Sequence, residues 1–143
     1  LVFSALFAVS LVQLLTGEAG DRVGELPVVA GTLGLATASL VALIASTATG
    51  DPLVLGGAVV AMGLGAHGYR PVRSAYLMSV VPRATAGGSL GVVRTLVMAG
   101  GATSPAVVGY LSEAASFRAA FWLLAAAFAV ATALAAVLLV DDR

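Results

Sequence analysis

The chain has 143 residues, of which 60% are hydrophobic and only 10% charged, against about 25% charged in an average soluble domain. Seven arginines, no lysine and seven acids bring the formal net charge to zero, which gives nucleic acid nothing to bind. The absence of cysteine excludes a disulfide framework and any cysteine-ligated metal site.

Charges are confined to short stretches between long apolar runs. Val28 to Gly50 and Ala119 to Val140 contain no charged residue. Each is long enough to cross a bilayer, since about 20 residues rising 1.5 Å each span a hydrocarbon core of about 30 Å. The runs are continuous and rich in Ala, Gly and Leu rather than alternating, which excludes a membrane β-barrel. The predicted fold class is an all-α integral membrane protein, a bundle of five transmembrane helices. Lipid is its solvent.

The first predicted span covers 1–17 and ends at the charged stretch Glu18–Glu25. The second covers 27–48, with Pro27 in its first turn. The third covers 52–80, where Asp51 is suited to the N-cap and Pro52 to the first helical position. After a turn at Pro82-Arg83 the fourth covers 85–111. Ser116 is placed to cap the fifth, 117–140, and Asp141-Asp142-Arg143 form a polar tail. The chain opens on Leu1 without a basic leader, so no signal peptide is expected and the sequence reads as the tail of a longer protein.

Arginine placement gives an orientation. Arg22, the Arg70–Arg83 region and Arg143 fall on one side, and only Arg118 on the other. The positive-inside rule makes the first side, with the C-terminus, cytoplasmic. Tyr110, Phe117, Phe121 and Trp122 then form an aromatic belt at the outer boundary. The location expected is the cell membrane.

Glycines carry the next signal. Gly63-x-Gly65-x-x-Gly68 matches a dinucleotide-binding pattern, but no strand precedes it and no acid lies between Asp51 and Glu113. Close helix packing by small residues is the better account. On the fourth helix Gly87, Gly91, Arg94, Met98, Gly101, Pro105 and Gly109 recur at spacings of three or four, on one narrow face. That face reads either as a groove for a neighbouring helix or as the wall of a cavity.

Arg70, Arg73 and Arg94 have no acid at their depth. Counted from the Pro82-Arg83 turn, Arg73 and Arg94 lie about 14 and 16 Å along their helices, so the hairpin sets them level. An arginine facing lipid at the midplane costs about 2.5–3.5 kcal/mol. All three must therefore face protein or water, or their helices must project into the cytoplasm. Their counter-charge is water, an anionic ligand or a carboxylate elsewhere. Tyr69 and Tyr76 flank Arg73 at i−4 and i+3. His67 reads as a hydrogen-bonded packing residue or as a proton carrier. No catalytic triad, paired carboxylates or metal cluster is discernible, so neither enzyme activity nor a cofactor is expected.

Gly17-Glu18-Ala19-Gly20-Asp21-Arg22-Val23-Gly24 resembles the G-x-x-x-D-R-x-G signature loop of the major facilitator superfamily. Glu25-Leu26 stands where that signature continues with basic residues, as in its weaker copy after the eighth helix. Gly63 to Gly68, Pro71, Pro82-Arg83 and Gly87 resemble the family's fourth or tenth helix and following turn. Gly101, Ser104-Pro105 and Gly109 resemble its fifth or eleventh, and Phe117-Arg118-Ala119-Ala120-Phe121 the opening of its sixth or twelfth. The degenerate loop favours helices eight to twelve over the competing register, two to six.

This resemblance implies secondary active transport of a small solute by alternating access, with proton coupling and efflux as family expectations. It assigns Tyr69, Arg70, Arg73, Arg94, Met98 and His67 to the substrate pathway and Gly17, Asp21, Arg22 and Gly24 to a gating loop. Gly87, Gly91, Gly101, Pro105 and Gly109 are assigned to helix packing. The implied partners are the bilayer, the solute and an N-terminal part of the same transporter. The rival reading is a non-transporting membrane anchor, sensor or assembly component built on the same fold.

Overall fold

The structure, a computed structural model, describes residues 2–47 and 50–141. Leu1, Ala48 and the Asp142-Arg143 end of the tail, part of the orientation argument, lie outside the described residues. Five helices follow one another: α1 (Val2–Val23), α2 (Glu25–Ser46), α3 (Pro52–Val80), α4 (Ala86–Ala114) and α5 (Phe117–Asp141). Helices α2 to α5 are each long and apolar enough to cross a membrane. No strand occurs among the described residues.

The first turn is much shorter than the expected polar loop. Helix α1 continues through Glu18, Asp21 and Arg22 to Val23. Arg22 donates to the Glu18 carboxylate one turn back, at 2.6 Å, a pairing that supports continued helix. Gly24 alone breaks the chain, with φ 97° and ψ 153°, while its N–H closes α1 on the Gly20 carbonyl at 3.0 Å. A side chain is strained in that conformation by about 1–3 kcal/mol. Gly24→Ala should therefore lower thermal stability by an amount in that range, read by detergent melting. An unchanged melting temperature would show that the turn relaxes freely.

The other turns follow local chemistry. Gly50 has φ 67°. The Asp51 carboxylate accepts from the Leu53 N–H at 2.9 Å, and Pro52 opens α3 without a donor to lose. Ser116 Oγ accepts from the Ala119 N–H at 3.1 Å, which caps α5.

Helix α2 is the hub. Its buried residues Leu26, Val29, Leu33, Ala36, Leu40 and Ile44 recur every three or four positions and face α3 and α5. Val29 and Leu33 join Val72 of α3 and Ala135 of α5, with Tyr69 and Phe128 packed alongside. Leu40 and Ile44 join Ala125 against Phe121 and Phe128. Between these clusters Thr37 and Thr132 hydroxyls meet at 3.1 Å, an interhelical hydrogen bond of the kind apolar solvent favours.

The closest helix contact lies at the glycines of α3. A Cβ on Gly65 would fall 2.6 Å from the Ala36 nitrogen and 2.6 Å from the Thr32 carbonyl oxygen. A Cβ on Gly68 would meet methyls of Thr16 and Thr32 at 3.1 and 3.2 Å. Gly65, the middle glycine of the dinucleotide-like trio, is thus where α2 and α3 touch backbone to backbone, while nothing lies within 4 Å of a Cβ at Gly63. Gly20 of α1 faces the Val72 side chain instead, whose Cγ1 would lie 3.1 Å from an added Cβ.

Helix α4 stands apart. It packs against α5 yet has no buried residue. No atom of another element lies within 4 Å of a Cβ placed at Gly87, Gly91, Gly101 or Gly109, and Pro105 is exposed. Among the described residues, the glycines of this stripe therefore pack on no other helix.

Candidate functional site

A cavity of about 570 Å³ lies between α3 and α4. Tyr69, Arg70, Arg73 and Ser74 come from α3, and Arg94 and Met98 from α4. Leu77, Met78, Leu90, Val93 and Val97 complete an otherwise apolar wall. Helical periodicity explains the grouping on α3, since residues 70, 73, 74 and 77 share one face. Arg94 and Met98, members of the α4 stripe, do the same from the other side.

Arg73 is the most enclosed of the three cations. Its guanidinium carbon lies 5.5 Å from the centroid of the Tyr69 ring, within cation–π range. The same ring packs against the Val29–Leu33–Val72 cluster, so the core fixes the stacking platform. The Arg73 Nε is buried and has no hydrogen-bond partner. An unsatisfied buried donor costs about 1–3 kcal/mol. Arg70 and Arg94 are exposed in the cavity wall.

No acid borders this cavity. The one ion pair among the described residues is Arg22 with Glu18, at the end of α1. The cleft therefore carries uncompensated positive charge within an apolar lining.

Helices α3 and α4 have 29 residues each, about 43 Å at 1.5 Å per residue, and overshoot a core of about 30 Å. Arg73 lies seven residues before Val80 and Arg94 eight after Ala86, about 10 and 12 Å from the helix ends. With the helices centred in the bilayer, the arginines occupy the third of the membrane nearest the α3–α4 turn rather than its midplane.

Five of the six pathway residues border this one cavity. His67 does not. Its ring Nδ1 lies 2.9 Å from the Gly63 carbonyl, so this nitrogen carries the proton and donates within its own helix. Tyr76 also departs from expectation, since it borders a different cavity behind α3 and leaves Tyr69 as the aromatic partner of Arg73.

That second cavity, about 690 Å³, gathers Asp21, Gly24 and Glu25 from the α1–α2 junction with Tyr76 and Ser79 from α3. The Ser79 hydroxyl approaches the Glu25 carboxylate at 3.3 Å and the Tyr76 carbonyl at 2.8 Å. Of the four gating residues Asp21 and Gly24 line it. Gly17 and Arg22 lie on α1, Arg22 turned to Glu18. The Ser79–Glu25 contact joins positions 54 residues apart, and no sequence spacing announces it. Among the described residues no group of His, Asp and Glu is placed to hold a metal ion.

Four helices long and apolar enough to cross a membrane, with exposed apolar side chains along them, mark a multi-pass membrane protein. The family model of the Major Facilitator Superfamily matches residues 1–143, the full length of the sequence, and the chain belongs to that superfamily. Comparison with curated proteins and with solved structures returns no match.

Proposed function

We propose that the chain forms helices eight to twelve of a secondary transporter that carries a small solute across the cell membrane by alternating access. The observation that supports this most directly is the arginine-lined cleft between α3 and α4, in a member of a transporter superfamily. Rigid-body rocking of two repeats around a shared site is the general mechanism of such folds. In this reading α1 is a fifth span and the other half of the transporter supplies the facing wall of the cleft. Asp21, Gly24, Glu25 and Ser79 couple the ends of α1, α2 and α3 as a gate. Glu25-Leu26 in place of basic residues supports the C-terminal register.

The same reading puts the α1–α2 turn and the α3–α4 turn in the cytoplasm, and Glu113 outside. It is tested without knowing the solute. Met98 borders the cleft twelve residues into α4 and is exposed there. In the full-length protein, Met98→Cys should react with an impermeant maleimide from either face of the membrane, because the cleft opens to each in turn. Glu25→Cys and Glu113→Cys should each react from one face only, and from opposite faces. Reaction of Met98→Cys from a single face would favour a fixed anchor or sensor.

A further inference from the structure

We propose that the cleft between α3 and α4 takes a small organic anion, a monocarboxylate with an apolar body. The assignment deepens the transport reading and rests on it for treating the anion as cargo. Three arginines, Arg70, Arg73 and Arg94, line one cavity that no acid borders. A cation entering it meets like charge, and a neutral solute leaves the charge uncompensated. A carboxylate supplies the missing counter-charge, and the guanidinium fork matches its two oxygens.

Two features sharpen the class. Tyr69 lies beneath the Arg73 guanidinium, 5.5 Å from its central carbon, so this cation is held at the cavity wall before any ligand arrives. Leu77, Val93, Val97 and Met98 make most of the remaining wall apolar, which suits a hydrocarbon body and disfavours a heavily hydrated dianion such as phosphate. A volume of about 570 Å³ is that of a small-molecule pocket. The carboxylates of Asp21 and Glu25 border the other cavity, behind α3, and leave this one uncompensated.

The test uses the full-length protein in phosphatidylcholine nanodiscs, with benzoate and hexanoate as probes and benzamide, hexanamide and benzamidine as neutral or cationic counterparts. The carboxylates should raise the melting temperature well above any effect of their counterparts. In Arg73→Gln/Arg94→Gln their apparent affinity should fall about 100-fold or more, the loss expected for two charge-assisted contacts. Arg94→Gln and Arg94→Lys serve as milder variants, with Arg94→Lys intermediate. Carboxylates no better than amides, or equally effective on the glutamine variants, would overturn the assignment. So would stronger binding of benzamidine. A wild type indifferent to carboxylates, with glutamine variants that melt far lower, would place a protein carboxylate in the cleft instead. Competition by added phosphatidylglycerol that disappears in the glutamine variants would make the occupant a lipid headgroup and also overturn it. Transport and anion recognition separate cleanly. Flux of a neutral or cationic solute in the same membranes removes only the anion. Carboxylate binding with single-face labelling of Met98→Cys keeps the anion site and removes transport.

Discussion

Gly65→Leu should prevent the bundle from assembling, and Gly65→Ala should weaken it measurably. The first side-chain carbon at this position would lie 2.6 Å from two backbone atoms of α2, the Ala36 nitrogen and the Thr32 oxygen. A side-chain neighbour could rotate away, but a helix backbone cannot. Relief requires α2 and α3 to separate, which unpacks Val72 and Leu33 from their shared cluster. Overpacking a well-filled core costs about 1–3 kcal/mol, and Gly65→Ala should reach that range despite alanine's better helix propensity. Leucine adds three more carbons in the same direction. Two controls separate contact from composition. Gly101→Ala meets nothing within 4 Å, and Leu134→Ala trims a side chain that is 61% exposed. Both should melt close to wild type in detergent. A Gly65→Leu protein that melts with the controls would mean that α2 and α3 do not touch there.

The contrast between Gly65 and Gly101 shows what a membrane sequence discloses and what it hides. Charge-free runs locate helices because lipid leaves the backbone no other partner, and Asp51, Pro52 and Ser116 mark helix starts by local hydrogen bonding. Which face of a helix is packed is another matter. Lipid is as apolar as a protein core, so hydrophobic periodicity does not separate the two. The regular α4 stripe read as a packing groove or a cavity wall; among the described residues its glycines meet no other helix, while Arg94 and Met98 border the cleft. The less regular glycines of α3 form the tightest crossing. The end of α1 was hidden for a related reason. Glu18, Asp21 and Arg22 are polar enough to suggest a loop, yet an i,i+4 ion pair keeps them helical and Gly24 makes the turn. The level arginines were legible from counting residues about the Pro82 turn. Placing Tyr69 and Tyr76 against different cavities required the rotation of α3, which α2 sets through Gly65 and Gly68.

Replacing Arg73 and Arg94 together by alanine should reduce solute flux by about 100-fold or more while leaving the protein correctly inserted. Each guanidinium held to an anion by charge-assisted hydrogen bonds contributes about 1.5–3 kcal/mol, and two such losses compound to that factor at the least. Failed insertion is not a competing cause. An arginine at the bilayer centre is unfavourable by about 2.5–3.5 kcal/mol, so alanine removes an insertion cost within the core, and Arg22 and Arg83 remain to set the orientation. Failed packing is read separately by melting, since Arg94 is exposed while Arg73 is half-buried beside Tyr69. Arg94→Lys should recover part of the flux, since lysine restores the charge without the planar fork. Tyr69→Phe should retain most of it, because the ring and not the hydroxyl holds Arg73, whereas Tyr69→Leu should not. The comparison is flux into sealed vesicles at matched protein levels. Wild-type flux in the double alanine variant would leave the arginines as interfacial residues that reach towards water, and would remove the cleft from the transport path.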